Sequence, residues 1–220
     1  MTEMFDCTDP VQRGSGIASA ISALKGGRLV VMPTDTVYGI GADAFDNEAV
    51  AALLSAKGRG RDMPVPVLVG SWHTIQGLVY SVPQRAHELI RAFWPGALSL
   101  VVRQAPSLHW DLGDANGTVM LRMPLHPVAI ELLREVGPMA VSSANISGRP
   151  AANTAGQARE QLGDLVEVYL DGGPAEQQAA STIVDLTGTD PRVLRQGPVT
   201  VDAIADVLGV EAATLVAQTD

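Results

Sequence analysis

Short apolar runs alternate with amphipathic helical segments along almost the whole chain, and this alternation limits the fold more than any other feature. The main apolar runs have the length and composition of buried β-strands: RLVVMP, VPVLVG, ALSLVVR, TVMLRMP and PMAVSSA. Strands that are interleaved with helices predict a sheet that is covered by helices. We therefore expect an α/β or α+β fold.

The limits of the first helix and of the domain follow from turn-forming residues. Ser15 is expected to cap the first helix, and Gly26 and Gly27 are expected to end it. No stretch rich in Pro, Gly and Ser divides the chain. We therefore predict a single domain over residues 1–220, with a core of about 15–208 and mobile ends.

The charge balance argues against a protein that coats nucleic acid or an anionic membrane. The net charge is −9 and the isoelectric point is about 4.8, values that still allow a local basic pocket. The one cysteine, Cys7, excludes an intramolecular disulfide and fits a reducing cytosol. The N-terminus lacks the features of a signal peptide, and no apolar run approaches the roughly 18 residues that span a membrane. We expect a cytoplasmic protein.

Residues 30–44, VVMPTDTVYGIGADA, run from an apolar strand through a proline into a polar segment. Gly39, Gly41 and Ala44 match the G-x-G-x-x-A pattern of dinucleotide-binding sites. That motif needs a helix to begin among the glycines, whereas helical periodicity here begins only after Asn47. We therefore expect a strand followed by a polar turn, and a dinucleotide site is disfavoured.

Three cations alternate with glycine in the segment KGRGR. Lys57, Arg59 and Arg61 would face one side of an extended chain, because alternate residues of a strand point the same way. Such a row suits a polyphosphate, with which arginine forms bidentate, charge-assisted hydrogen bonds. A solvated basic loop after a helix is the alternative that the spacing leaves open.

Small polar side chains follow the apolar run in VSSANISGRP. Ser142, Ser143 and Asn145 are placed to contact a phosphate or nucleotide, and an ordinary turn rich in Ser and Asn is the alternative. No G-x-S-x-G motif supports Ser143 as a nucleophile. The four histidines lack metal-binding spacing, so no metal site is predicted. The polar segment 105–117 is a candidate lid or an ordinary surface loop.

Six ordered blocks of the sequence resemble the single-domain form of the YrdC-type threonylcarbamoyl-AMP synthases. They are MPTDTVYGIGADA, KGRGRDMPVPVLV, FWPGALSLVV, TVMLRMPLHP, VSSANISGRPA and STIVDL with VLRQGP. The resemblance implies a twisted mixed α/β sheet with flanking helices around a deep, basic, concave pocket. It also implies synthesis of L-threonylcarbamoyladenylate from L-threonine, bicarbonate and ATP with release of pyrophosphate. This reaction is the first step of threonylcarbamoyl modification of tRNA adenosine 37.

The resemblance assigns each substrate a set of residues. It implies that ATP contacts Lys57, Arg59, Thr118, Ser143, Asn145 and Arg195. Of these, it implies that two stabilise the negative charge of the phosphates during catalysis, Lys57 and Arg59. It implies that threonine contacts Thr34, Arg122 and Ser181. The fork of donors on Arg122 fits the threonine carboxylate.

The chain departs from the family's pattern at two positions. Val65 follows Pro64 where the family usually has leucine, and Leu68 lies where some relatives have a histidine. Details of threonine recognition therefore stay open. The roles of Asp35, Tyr38 and the extra cation Arg61 stay open as well.

The resemblance also implies which molecules the protein meets. ATP and bicarbonate are expected as substrates, with Mg²⁺ on the triphosphate. Transfer RNA and the proteins that transfer the threonylcarbamoyl group are further partners, and no membrane partner is expected. One alternative is a YciO-type relative that binds nucleotide or RNA without making the adenylate. The others are an RNA-binding or ribosome-assembly module and a carbamoyltransferase-like domain of larger hydrogenase-maturation proteins.

Overall fold

The structure, a computed structural model, describes residues 2–216. Its strands are β1 (Glu3–Asp6), β2 (Val30–Met32), β3 (Gly39–Asp43), β4 (Val67–Leu68), β5 (Leu98–Arg103), β6 (Thr118–Arg122), β7 (Met139–Ser143), β8 (Val168–Asp171), β9 (Thr182–Asp185) and β10 (Arg192–Arg195). Its α-helices are α1 (Pro10–Lys25), α2 (Asn47–Ala56), α3 (Gln84–Phe93), α4 (Pro127–Val136), α5 (Ala155–Leu162), α6 (Val201–Leu208) and α7 (Ala212–Leu215). Short 3-10 helices occupy Trp72–Gly77 and Gly163–Leu165.

All ten of these strands join one mixed sheet in the order β1-β8-β2-β3-β7-β4-β6-β5-β9-β10. The parallel pairs are β1 with β8, β2 with β8, β4 with β6, and β5 with β9. The other neighbours are antiparallel. The predicted α/β fold, a large mixed sheet with flanking helices, is confirmed. The assignment of residues 1–220 to one domain stays a prediction.

Helices cover both faces of the sheet, because successive strand residues point to opposite sides. Val30 and Met32 join an apolar cluster with residues of α1 and α4, among them Leu24 and Leu132. Val31, between them, joins the larger cluster that includes residues of α2, α3, α5 and α6. The sheet therefore has a buried core on each side.

Residues 39–43 form the strand β3 and not the polar turn that the sequence predicts. β3 pairs antiparallel with β2 and with β7, with Gly39 opposite Ser143. A Cβ atom on Gly39 would lie 2.7 Å from Cγ1 of Val141, so a neighbouring side chain approaches the backbone closely here. A strand runs through the glycine pattern where a dinucleotide-binding site needs a helix to begin. The match to that motif therefore does not indicate a dinucleotide site.

The N-terminal segment forms a strand and the start of a helix, and the mobility expected of this end stays a prediction. β1 pairs in parallel with β8, and α1 begins at Pro10 and not near Ser15. The side chain of Asp9 caps this helix by accepting hydrogen bonds from the backbone N–H groups of Val11 and Gln12. At the other end α7 carries the buried Leu215, and residues 217–220 lie outside the described residues.

Candidate active site

A cavity of about 200 Å³ opens on the face of the sheet that carries α1 and α4. Leu68 and Val141 belong to the apolar cluster beneath those helices, and both also line the cavity. The other lining residues come from the segments that follow β2 and α2 and from several strands or the residues beside them. These strands are β3, β5, β6, β7, β9 and β10. The residues are Thr34, Thr36, Val37, Tyr38, Gly39, Arg59, Pro64, Pro66, Ser99, Met120, Arg122, Ser142, Ser143, Ala180, Ser181, Ile183 and Arg195.

The cavity is basic. Three arginines line it, Arg59, Arg122 and Arg195, and no aspartate or glutamate of the described chain does. Burial lowers the pKa of Arg59. Burial and the positive charge of Arg59 lower the pKa of Arg195. The two guanidinium groups therefore repel each other across a partly desolvated space, and a bound anion would relieve that repulsion.

Arg59 has free hydrogen-bonding capacity at the cavity. Its Nη1 donates to Oγ of Ser142 over 3.1 Å. Its Nε is buried and has no hydrogen-bond partner among residues 2–216. A buried donor without an acceptor costs about 1–3 kcal/mol, so an anionic ligand that accepts this hydrogen would recover that cost.

Arg195 is held against Ser181, a second residue that the family resemblance assigns to the site. Its Nε donates to the Ser181 carbonyl oxygen over 3.0 Å, and its Nη2 lies 3.4 Å from Ser181 Oγ. Ser181 Oγ also lies 2.8 Å from Oγ of Ser99, a buried residue of β5. The expected phosphate contact and the expected threonine contact are therefore neighbours at this wall.

A second cavity of about 200 Å³ adjoins the first and shares Arg59, Pro64 and Met120 with it. Thr118 lies in this second cavity and not in the first, and its hydroxyl donates to the carbonyl oxygen of Ala115 over 2.7 Å. The rest of the lining is mostly apolar: Met63, Val65, Val101, Leu112, Ala115 and Val119. The paired cavities thus provide a charged compartment and an apolar one.

Lys57 lies behind the cavity wall, with 2% of its surface exposed, and does not line either cavity. Its Nζ donates to the carbonyl oxygen of Ser143 and to the backbone and side-chain oxygens of Asn145, at 2.8 and 3.4 Å. Burial and the nearby Arg59 lower its pKa to about 8. The prediction that Lys57, Arg59 and Arg61 face one side of an extended chain is wrong. Lys57 is the C-terminal capping residue of α2 and has a helical backbone conformation.

Ser143 and Asn145 have different surroundings. Ser143 lines the first cavity, whereas Asn145 is buried outside it. The side-chain nitrogen of Asn145 donates to the carbonyl oxygens of Ile146 and Arg149, over 2.9 and 2.8 Å. The Asn145 side chain therefore closes the turn that follows β7 and does not reach the cavity.

Arg122 lines the cavity with three of its nitrogens already hydrogen-bonded. Nη2 donates to Oδ1 of Asp35 over 2.6 Å, Nη1 donates to Oγ1 of Thr36 over 2.7 Å, and Nε donates to the carbonyl oxygen of Gly96 over 2.9 Å. Burial lowers the pKa of Arg122, and the charge of Asp35 opposes that change. A guanidinium carries five N–H groups, so two stay available to a ligand.

Thr34 lies at the cavity in the turn between β2 and β3. Its hydroxyl donates to the Val37 carbonyl oxygen over 2.6 Å, accepts from the Thr36 backbone N–H over 3.2 Å, and lies 3.0 Å from Oγ1 of Thr36. Since a hydroxyl has one donor and two acceptor positions, these contacts occupy it fully. The Thr34 side chain is therefore held in one orientation by its own turn.

A family model matches residues 22–197, which is most of the chain and includes every residue assigned to the site. The model is that of the Sua5/YciO/YrdC proteins, described as telomere recombination. The chain belongs to the Sua5/YciO/YrdC family.

Relatives and solved structures agree with this membership. A provisionally named threonylcarbamoyl-AMP synthase of Mycobacterium tuberculosis is 80% identical over 98% of this chain and 99% of its own length. The threonylcarbamoyl-AMP synthase of Bacillus subtilis is 36% identical over 95% of this chain and 60% of its own length. The structure of Pyrococcus abyssi Sua5 complexed with L-threonine matches with a TM-score of 0.85 and 36% identity, over 88% of this chain and 57% of that one.

Arg61, the cation outside the family pattern, points away from the cavities of this Sua5/YciO/YrdC protein. It forms a bidentate ion pair with Asp111, with both distances 2.8 Å, and a third contact with Asp114 at 3.3 Å. Trp110 in the same loop is buried and stacks on Phe45 with ring centroids 5.5 Å apart. The candidate lid 105–117 is thus attached to the segments that precede and follow α2.

Sequence reasoning missed several lining residues of this Sua5/YciO/YrdC site. Thr36 and Ser99 are buried polar residues that contact assigned residues, and Met120 lines both cavities. A polar Ser99 within the apolar run ALSLVVR was a signal that could have been used. Tyr38 is fully buried, and its hydroxyl donates to the Gly173 carbonyl oxygen over 2.6 Å, so this side chain supports the fold.

Neither a metal centre nor a membrane span is found in residues 2–216 of this family member. No group of three or more His, Cys, Asp or Glu side chains there is arranged to hold a metal ion. No helix in that part of the chain is long and apolar enough to cross a membrane.

Proposed function

We propose that this chain is a threonylcarbamoyl-AMP synthase that makes L-threonylcarbamoyladenylate from L-threonine, bicarbonate and ATP. The observation that carries the proposal is a cavity lined by three arginines and by no carboxylate of the described chain. Such a cavity favours a polyanion. The names of the relatives, threonylcarbamoyl-AMP synthase in Mycobacterium tuberculosis and in Bacillus subtilis, agree with it.

The reaction needs no covalent intermediate on the protein. The threonine amine attacks carbon dioxide, which bicarbonate supplies with loss of hydroxide. The proton that is released as the carbamate forms combines with this hydroxide to give water. A carbamate oxygen then attacks the α-phosphorus of ATP, the bond to the β-phosphate oxygen breaks, and pyrophosphate leaves. The protein's contribution is to orient the two substrates and to stabilise the charge on the phosphates.

The phosphates would bind between Arg59 and Arg195. Both are partly desolvated cations at the cavity, and Arg59 Nε still lacks an acceptor among residues 2–216. Lys57 would add its charge from behind the wall, through the Ser143 carbonyl group that it contacts. Asn145 would hold that wall in place. The nucleoside would extend into the apolar second cavity toward Thr118.

Threonine would bind beside the phosphates, at Arg122, Thr34 and Ser181. Arg122 has two N–H groups left, which suits a carboxylate. The Ser181 hydroxyl lies next to Arg195, so the amino end of threonine would approach the phosphate site. The Thr34 hydroxyl already forms its hydrogen bonds within the turn. Thr34 would therefore contact threonine by packing and so limit the shape of the binding site.

The described residues offer no cage for a divalent cation, and we assign no step to a protein-bound metal. Mg²⁺ would enter with ATP as the counter-ion of its triphosphate. We further propose that the reaction occurs in the cytoplasm. The adenylate would pass to proteins that transfer the threonylcarbamoyl group to adenosine 37 of tRNA.

The proposal is tested by pyrophosphate release and by mass spectrometry of the product. The purified chain is incubated with ATP, threonine and bicarbonate, and each is omitted in turn. We expect release only when all three are present, together with a product of the mass of threonylcarbamoyladenylate. Release that does not depend on threonine would reject the synthase and favour a nucleotide-binding relative without this activity.

A matched pair of lysine variants controls for loss of structure. Lys25 is exposed at the end of α1 and lines neither cavity, whereas Lys57 lies at the wall of the site. We expect Lys25→Met to release pyrophosphate at the wild-type rate.

A further inference from the structure

Asp35 is a buried carboxylate beside the cavity that the mechanism above does not use. It is 3% exposed and does not itself line the cavity. We propose that Asp35 is a positioning residue: it holds the Arg122 guanidinium toward the threonine carboxylate and offsets its charge, so that this end of the cavity accepts an amino acid and not a phosphate. The inference rests on the proposed function and deepens it.

The first support is the geometry of the ion pair. Oδ1 of Asp35 accepts from Arg122 Nη2 over 2.6 Å and from the backbone N–H of Leu125 over 2.9 Å. The Asp35 carbonyl oxygen accepts from the N–H of Gln177 over 3.0 Å. Asp35 therefore connects three segments around the site, and its carboxylate is itself fixed from two directions.

The second support is the orientation of the arginine. With Asp35, Thr36 and Gly96 each taking one of its nitrogens, the Arg122 guanidinium cannot rotate without breaking several buried hydrogen bonds. The guanidinium of Arg122 lines the cavity and is therefore held there in one orientation. A carboxylate that binds there loses little free energy to reorganisation of the protein.

The third support is the distribution of charge. Of the three arginines that line the cavity, Arg122 has a carboxylate partner within an ion-pair distance, while no such partner within residues 2–216 contacts Arg59 or Arg195. The charge of Asp62 acts on Arg59 without an ion-pair contact. Arg59 and Arg195 therefore attract a polyphosphate more strongly than Arg122, whose charge Asp35 offsets in direct contact. The charge of Arg195 contributes to the lowered pKa of Arg122, so the two binding regions adjoin. The zwitterionic amino acid and the triphosphate are thereby directed to different, neighbouring parts of one cavity.

The test uses threonine binding by calorimetry, without ATP, in the wild type, Asp35→Asn and Asp185→Asn. Asp185 is a matched control, since its carboxylate accepts two hydrogen bonds from Thr187 and lies outside the cavity. We expect Asp35→Asn to bind threonine about tenfold more weakly or worse, as loss of a charged hydrogen-bonding partner implies. Asp185→Asn is expected to bind like the wild type.

Two further probes separate positioning from a general loss of structure. L-threoninamide has no carboxylate and is expected to bind the wild type more weakly than threonine does. Its affinity is expected to change little in Asp35→Asn. Inorganic pyrophosphate is expected to compete with threonine in Asp35→Asn, where Arg122 has lost its negative partner, and not in the wild type. Equal weakening of threonine and threoninamide, without competition by pyrophosphate, would overturn the proposal.

Asp35→Glu covers the case in which Asp35→Asn does not fold, because it keeps the negative charge and displaces it by one methylene. This variant is expected to exclude pyrophosphate like the wild type and to bind threonine more weakly. If either variant binds threonine with wild-type affinity, the role of Asp35 is overturned and the proposed function is not affected. A wild-type chain that binds no threonine overturns the proposed function, and the role of Asp35 with it.

Discussion

Lys57 Nζ donates hydrogen bonds to two oxygens of Asn145, a residue 88 positions further along the chain. A third bond goes to the Ser143 carbonyl oxygen. These contacts join the end of α2 to the end of β7, the two segments that carry Arg59 and Ser142 at the cavity. The lysine therefore shapes the phosphate wall and charges it at the same time.

Replacement of this lysine is expected to affect both roles. In Lys57→Met the buried carbonyl oxygens of Ser143 and Asn145 lose their donor, which costs about 1–3 kcal/mol of stability. Loss of a preorganised charge near the phosphates is expected to lower turnover about 10²-fold. Thermal unfolding and pyrophosphate release measure the two effects. Normal turnover in a folded Lys57→Met protein would contradict the role of Lys57.

The lowered pKa of Lys57 predicts a dependence of stability on pH. Burial and the nearby Arg59 lower this pKa from 10.5 to about 8. Between these values the unfolded chain binds a proton that the folded chain has released, so stability from this group rises with pH. We expect the free energy of unfolding of the wild type to rise relative to that of Lys57→Met between about pH 8 and 10.5.

Urea titrations of both proteins at several pH values measure that difference. The contribution of Lys57 is at its lowest and constant below about pH 8, where both states hold the proton. Parallel pH profiles of the wild type and Lys57→Met across the whole range would show that the pKa of Lys57 is not lowered.

Arginine-to-lysine variants are expected to separate the two substrates. Arg122→Lys keeps the charge but cannot reach Asp35, Thr36 and Gly96 together, because an ammonium has no planar fork. We expect the KM for threonine to rise about tenfold or more, as with loss of a charged, bidentate contact. The KM for ATP is expected to change little.

Arg59→Lys is the reciprocal control, since Arg59 lines the cavity without an ion-pair partner within residues 2–216. It is expected to raise the KM for ATP and to leave the KM for threonine nearly unchanged. If both variants raise the same KM, the assignment of Arg59 to ATP and of Arg122 to threonine is wrong.

The strand pattern of the sequence predicted most of the fold, and the exceptions have physical causes. β3 was missed because Gly39 and Gly41 have low strand propensity, and here their lack of a side chain admits Val141 and Met139 of β7. β1 was missed because its four residues, EMFD, form a strand only by pairing with β8, which lies far along the chain. The pairing of β3 with β7 and of β1 with β8 is not visible in a local window of sequence.

The motifs predicted segments that line the two cavities. They did not predict which side chains of those segments face a cavity. Arg59, Ser143 and Arg195 line the first cavity, and Thr118 the second. Lys57 and Asn145 lie in the right segments but bond to each other behind the wall. Side-chain hydrogen bonds across 88 residues depend on tertiary packing, which the spacing of a motif does not encode.

Arg61 is expected to be nearly dispensable, although it belongs to the row of alternating cations. Its ion pairs with Asp111 and Asp114 are exposed, and such pairs contribute about 0–1 kcal/mol. Arg61→Met is therefore expected to change turnover less than about threefold and stability by less than about 1 kcal/mol. Pyrophosphate release and urea unfolding measure both. A loss comparable to that of an Arg59 variant would place Arg61 at the phosphates.

Gly197 is expected to be the glycine whose replacement damages the site most directly. A Cβ atom there would lie 2.7 Å from the backbone nitrogen of Thr182 and 2.8 Å from the carbonyl carbon of Ser181. Backbone atoms of a paired strand cannot yield as a flexible side chain does. We expect Gly197→Ala to destabilise the protein by about 1–3 kcal/mol, as overpacking does, and to displace Ser181 and Arg195 from each other.

Gly14→Ala is the matched control, because an added Cβ at this exposed position of α1 meets nothing within 4 Å. Alanine has the higher helix propensity, so this variant is expected to gain about 0.5–1 kcal/mol. Urea unfolding should thus give opposite signs for the same chemical change at the two positions, and pyrophosphate release should fall only in Gly197→Ala. Wild-type stability and activity in Gly197→Ala would mean that the backbone between Ser181 and Gly197 is looser than the structure has it.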